Sequence, residues 1–129
     1  MTAPAPSTLR AYDVFARSTD TFGRVMCSAR DHHFIVDGPV QNGCPGEAIT
    51  PVEVFLTAVA ACGVELIHVM AKNENRPLDR IAVKIHGAVD RAKQARTDVT
   101  TFNAVEVDFT LWGCDDAGAA ALVEGFKRR

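Results

Sequence analysis

Between Val54 and Val64 the chain carries no charged residue, and the apolar side chains of TPVEVFLTAVAACGVELIHVMA, residues 50–71, point in every direction around a helical wheel. A helix with that pattern is covered on all sides. Its start is written in the residues. Thr50 can accept a hydrogen bond from a first-turn amide as N-cap, Pro51 takes the first helical position, and Glu53 falls where it closes a capping box. A membrane span is the rival reading. Against it, Glu53 on one side and Glu65 with His68 on the other leave an uncharged run shorter than the roughly 20 apolar residues that cross a bilayer. The pattern predicts a long buried central helix, the axis of a soluble fold, with Cys62 in its middle.

Before this helix, strand-like runs centre on Tyr12 to Ala16, Val25 to Ala29 and His33 to Val36, with turn signals at Ser18 to Asp20 and at Arg30-Asp31. Residues 1–8 read as a loose arm, and GPVQNGCPGEAI, residues 38–49, as a Gly- and Pro-rich loop. After the helix, a break at Asn73 to Pro77 leads to Ile81, Val83, Ile85 and Val89 at alternating positions. Val105, Val107, Phe109 and Leu111 repeat the alternation, so the two strands form a long hairpin joined by the polar RAKQARTDV. Asp115 can cap a last helix carrying Leu122, Val123 and Phe126, and Lys127-Arg128-Arg129 suit its C-terminal dipole. The order is β-β-β-α-β-β-α, an α+β fold in a single domain over residues 1–129. One small sheet covers only part of a helix that is apolar all round. A second chain is the economical cover, so a homodimer with packed central helices is expected.

Charge and composition narrow the partners. Fourteen Lys and Arg against sixteen Asp and Glu, a net charge of −2, leave no basic field for nucleic acid or an anionic membrane. The N-terminal MTAPAPSTLR lacks an apolar signal core, which predicts a cytoplasmic protein whose Cys27, Cys44, Cys62 and Cys114 are free thiols. No metal is expected, since Cys62, Glu65 and His68 drift about 120° around the helix. His32 and His33 point to opposite faces of a strand. Neither a phosphate loop, a dinucleotide fingerprint nor a serine-nucleophile elbow occurs, so no cofactor is expected.

Taken together, HHFIVDGPVQNGCPGEAITPVEVFLTAVAACGVELIHVMA and the later IAVKIHGAVD resemble the osmotically induced protein C and organic hydroperoxide resistance (OsmC/Ohr) family. The matching features are the strand ending in Val36-Asp37 before a Gly-Pro turn, the Thr50-Pro51-x-Glu53 helix start and the Ala60-Ala61-Cys62 core. The resemblance implies an intertwined homodimer that reduces organic hydroperoxides with active sites at the subunit interface. Cys62 matches the attacking cysteine, which becomes a sulfenic acid, pairs with a second cysteine, and is reopened by a dithiol reductant of unknown identity. Such a mid-helix thiol gains little from the helix dipole, and burial disfavours its thiolate, so a nearby arginine is required. The family supplies one after a glycine in the N-terminal strands. Phe22-Gly23-Arg24 is the best match here, ahead of Arg17 and Arg30.

Two features depart from the family. Its organic-hydroperoxide branch holds the arginine with a glutamate at the position of Val52, whereas here Glu53 stands one place later, on the helix face opposite Cys62. Glu65, three residues after Cys62 and on its face, is the alternative partner for the arginine. The family's second cysteine, in a Cys-Pro pair shortly after the last helix, has no counterpart up to Arg129, and Cys114 does not match it. The expectation is a chain that continues beyond Arg129. The competing reading is a noncatalytic protein of this fold that binds a small apolar ligand at the dimer interface, with Cys62 as packing.

Overall fold

A computed structural model of the chain describes residues 3–129, in two compact units that meet in sequence between Pro51 and Val52. The element order matches the expected one: β1 (Phe15–Ser18), β2 (Arg24–Ala29), β3 (His32–Asp37), α1 (Pro51–Asn73), β4 (Arg80–Ala88), β5 (Ala104–Trp112) and α2 (Asp116–Lys127). The fold is α+β, with two antiparallel sheets and a long helix between them in sequence. Of the expected N-terminal arm, Met1 and Thr2 lie outside the described residues, and residues 3–14 carry no regular secondary structure.

In the first unit β1, β2 and β3 form an antiparallel meander. Arg30, at φ 54°, makes the tight turn between β2 and β3, so that Ala29 faces His32 and the ladder runs back to Arg24 opposite Asp37. β1 begins at Phe15 rather than near Tyr12, because Phe15 pairs with Ser28 and β2 stops one residue later at Ala29. Continuing that register sets Tyr12 and Asp13 opposite the Arg30-Asp31 turn rather than a strand. The 38–49 loop is tied to this sheet through its backbone. Asp37 N–H donates to Ile49 O at 3.0 Å, Gly38 N–H to Gly23 O at 2.8 Å, and Gly46 N–H to Gly38 O at 3.2 Å. Cys44 Sγ fills the space beside Gly23 and Gly38, where a Cβ on either glycine would lie 2.4 Å from the sulfur.

In the second unit the core consists of Ile67, Met70 and Ala71 of α1, Ile81 of β4 and Leu122 of α2. Val83, Phe109, Leu111, Val123 and Phe126 pack around it, so the alternation read in both strands and the apolar positions of the last helix converge on one face of α1. Gly63 faces this core: a Cβ there would meet Phe109 and Val83 at 3.5 Å, ordinary van der Waals contact. Asp115 caps α2, its Oδ1 accepting from Gly118 N–H at 2.7 Å. β4 ends at Ala88, paired with Ala104, and leaves Val89 in the connection. That connection is an ordered loop with a 3-10 turn at Arg91–Lys93, held by Gln94, whose amide donates to Asp90 O and Thr101 O.

Within one chain α1 is covered only in part, as expected of one small sheet. Its buried residues within one chain are Gly63, Ile67, Met70 and Ala71, while Val52 and Phe55 are 51% and 59% exposed. The single chain covers one face of the helix and leaves the rest open, because one two-stranded sheet and one short helix reach no further around it. Also, the helix as formed has 23 residues, long and apolar enough by length and composition to cross a membrane. Glu53 and Glu65 nonetheless bracket an uncharged run, residues 54–64, that is shorter than a bilayer crossing. What marks it as a packed helix is the protein face built on Ile67 and Met70.

Candidate functional site

Cys62 lies on the exposed side of α1 and opens onto an apolar cleft of about 470 Å³. The helix builds one wall by its own periodicity, since Phe55, Ala58, Val59, Cys62 and Leu66 are spaced three or four residues apart along one stripe. Phe126, Lys127 and Arg129, at the end of α2, close the other side. Both aromatic rings are braced: Phe55 stacks on Phe102 with centroids 6.0 Å apart, and Phe126 meets Phe109 edge-on at 5.4 Å. The cleft thus offers a thiol, rigid apolar walls and two cationic side chains. Lys127 is itself engaged, with Nζ 2.9 Å from Glu124 Oε1, and this pairing holds the Glu124 carboxyl below its ordinary value. Within one chain Cys62 is exposed.

Arg24 sits in the first unit, at the start of β2, directly across the ladder from Asp37 at the end of β3. The two form a forked ion pair, Arg24 Nε to Asp37 Oδ1 at 2.8 Å and Arg24 Nη2 to Asp37 Oδ2 at 2.9 Å. Asp37 is fully buried, and its Oδ2 also accepts from the backbone N–H groups of Glu47 and Ala48, at 3.0 and 2.9 Å. Glu47 adds a longer contact, Oε1 to Arg24 Nη2 at 3.4 Å. The hydrogen bonds from Arg24 hold the Asp37 carboxyl well below the usual carboxylate range in spite of burial, and the amides of Ala48 and Glu47 add to the effect. The bond to Asp37 in turn raises Arg24 above its ordinary value.

The expected site residues belong to different units. Cys62 belongs to the second unit and Arg24 to the first. Glu53 lies exposed in the first turn of α1, and Glu65 is exposed one turn beyond Cys62 without lining the cleft. The carboxylates on Arg24 are Asp37 and Glu47, neither of which the sequence marked as a partner for the arginine. A signal for Asp37 was present: a two-residue turn at Arg30-Asp31 fixes the register, and counting back along the ladder sets Arg24 opposite Asp37. Lys127 and Arg129, expected to serve the helix dipole, also border the thiol cleft. Arg17 and Arg30 are exposed, and among the described residues neither forms an ion pair. His33 Nδ1 is 2.8 Å from Ser28 Oγ, a cross-strand contact at the surface. Cys27, Cys44 and Cys114 are half-buried free thiols. Among the described residues no group of three or more His, Cys, Asp or Glu side chains could hold a metal ion.

Comparison with known proteins gives one consistent result. A family model described as OsmC-like protein matches residues 44–129. No curated protein sequence matches the chain significantly. Among solved structures, an OsmC-like protein from Mycoplasma pneumoniae superposes with a TM-score of 0.79 at 11% identity, covering 93% of this chain and 82% of the other. An organic hydroperoxide resistance protein OsmC from Legionella pneumophila gives a TM-score of 0.73 at 19% identity, with 95% and 85% coverage. A Vibrio cholerae protein, named for organic hydroperoxide resistance and holding captopril in one of its active sites, gives 0.72 at 18% identity, with 95% and 83% coverage. At these identities the likeness is one of fold.

Proposed function

We propose, since this chain belongs to the family of OsmC-like proteins, that it reduces organic hydroperoxides with Cys62 as the attacking thiol. The observation that carries the reading is the cleft at Cys62, where a reactive sulfur type stands among Phe55, Ala58, Val59, Leu66 and Phe126. An alkyl or aryl hydroperoxide has the matching form, an apolar body with one O–O bond at its end. The Cys62 thiolate attacks the terminal oxygen, the O–O bond breaks, and the departing alkoxide takes up a proton to leave as the alcohol. Cys62 becomes a sulfenic acid. A dithiol then attacks that sulfur, water leaves, and exchange within the mixed disulfide returns Cys62 as a thiol with the reductant oxidised. Arg24 is the activating cation in this reading, stabilising the thiolate and the alkoxide as charge develops. A reducing cytoplasm, where dithiols are at hand, is the compartment this chemistry fits.

The exposed side of α1 supports a homodimer as the working form. Val52, Phe55 and Val69 are open in the single chain, and a second copy with the same apolar stripe would cover them. A second functional reading, a noncatalytic protein that holds a small apolar ligand in the same cleft, is favoured by one observation. The Arg24 guanidinium already faces two carboxylates, Asp37 and Glu47, which offset its charge. Steady-state turnover separates the two. Wild type and Cys62→Ser are supplied with dithiothreitol and either cumene hydroperoxide or hydrogen peroxide. The peroxidase reading expects turnover that favours cumene hydroperoxide and vanishes in Cys62→Ser. Cleft binding of cumyl alcohol without any turnover would select the noncatalytic reading.

A further inference from the structure

We infer that Asp37 is a positioning residue for Arg24, setting the direction of its guanidinium rather than adding to its charge. The inference rests on the reading of Arg24 as activator and names a residue that no part of that reading requires. Its basis is an asymmetry in how the two partners are held. The Asp37 carboxylate is fully buried and is held independently of Arg24's side chain on one oxygen, Oδ2, which accepts from the backbone N–H groups of Glu47 and Ala48. The strand itself is fixed beside it, by Asp37 N–H on Ile49 O. Arg24, by contrast, is partly exposed, and its side chain is a flexible stem with many rotamers. The fork of Nε and Nη2 on the two oxygens of Asp37 removes that freedom. Asp37 is placed by the chain, and Arg24 is placed by Asp37. The same comparison sets Arg24 apart from Arg17 and Arg30, which have no such anchor among the described residues.

The inference predicts a sign as well as a size. If Arg24 acted only as a diffuse charge, replacing Asp37 by a neutral residue would unmask that charge and speed the reaction. If Arg24 acts as an aimed donor, the same change frees it to turn away and slows the reaction, by roughly 10- to 100-fold for a displacement on the order of 1 Å.

The test uses the full chain as Asp37→Asn, Asp37→Glu, Arg24→Ala and the Asp37→Asn Arg24→Ala double variant. Two rates are read: kcat/KM for cumene hydroperoxide, and alkylation of Cys62 by iodoacetamide as a function of pH, followed by peptide mass. Asp37→Asn is expected to lower both by at least about tenfold, and the double variant to match Arg24→Ala. Should Asp37→Asn fail to fold, Asp37→Glu, which keeps the charge and shifts the fork by one methylene, carries the same expectation. Rates that are unchanged or faster in a folded Asp37 variant overturn the inference, as does a loss that is just as large when Arg24 is already absent. The underlying reading fails differently. If the wild type consumes no hydroperoxide, the peroxidase reading falls, and the alkylation series alone decides on Asp37 by the same two outcomes. If Cys62→Ser is inactive but Arg24→Ala is not impaired, Cys62 stands and the inference is overturned.

Discussion

Arg24 and Asp37 stand opposite each other at the open end of the β2–β3 ladder, and their side chains repeat the backbone pairing with a forked ion pair of 2.8 and 2.9 Å. This arrangement has a consequence for stability against acid. The Asp37 carboxyl lies below its unfolded value, so the folded chain keeps it ionised where the unfolded chain does not. Above about pH 5, a unit over the unfolded carboxylate value, its contribution is complete. As the pH falls below that point the unfolded chain takes up the proton first, and the contribution shrinks until Asp37 itself protonates. Urea unfolding at a series of acidic pH values should show wild type losing stability more steeply than Asp37→Asn. Parallel acid limbs for the two proteins would remove Asp37 from this role.

A second prediction concerns Gly113, at the junction between β5 and the Asp115 cap of α2. Gly113 has φ 87°, and a Cβ there would lie 2.4 Å from the Asp79 carboxyl carbon and 2.7 Å from Asp79 N. That N–H donates to Trp112 O at 2.7 Å, so the backbone cannot yield without breaking the hairpin base. Gly113→Ala combines a left-handed backbone with overpacking and should cost about 2–4 kcal/mol in urea unfolding. A loss under about 0.5 kcal/mol, the range of an ordinary surface change, would contradict this.

How much of this was legible beforehand depended on distance along the chain. The alternation of Ile81, Val83 and Ile85 and of Val107, Phe109 and Leu111 identified β4 and β5, since strand period is a local property. Asp115 was legible as a cap for the same reason, acting three residues away on Gly118. The start of β1 was not, because its first residue is decided by where β2 ends, at Ala29. The Arg24–Asp37 pair required strand register, and only the turn at Arg30 supplies it. The partial cover of α1 was legible, since one small sheet is too narrow for a helix that is apolar all round. Residues that are apolar all round report that a cover exists, and they do not say which chain provides it.

The exposed stripe on α1 yields a third prediction. Val52, Phe55 and Val69 should be buried in a homodimer, and the monomer should not survive without that cover. Sedimentation and circular dichroism on serial dilution should show helix loss accompanying dissociation. Val69→Asp, placing a charge on the stripe, should move that transition to higher protein concentration by at least about tenfold. A folded monomer at submicromolar concentration would contradict the dimer.

The central claim is that Cys62 is the atom that meets the peroxide. Single-turnover oxidation by cumene hydroperoxide, with dimedone present to trap sulfenic acid and peptide mass spectrometry to locate it, tests this most directly. The account predicts one adduct per chain, at Cys62, with an equivalent of cumyl alcohol released and no adduct in Cys62→Ser. An adduct at Cys27, Cys44 or Cys114 with Cys62 unmodified, or a chain that leaves the hydroperoxide intact, would contradict it.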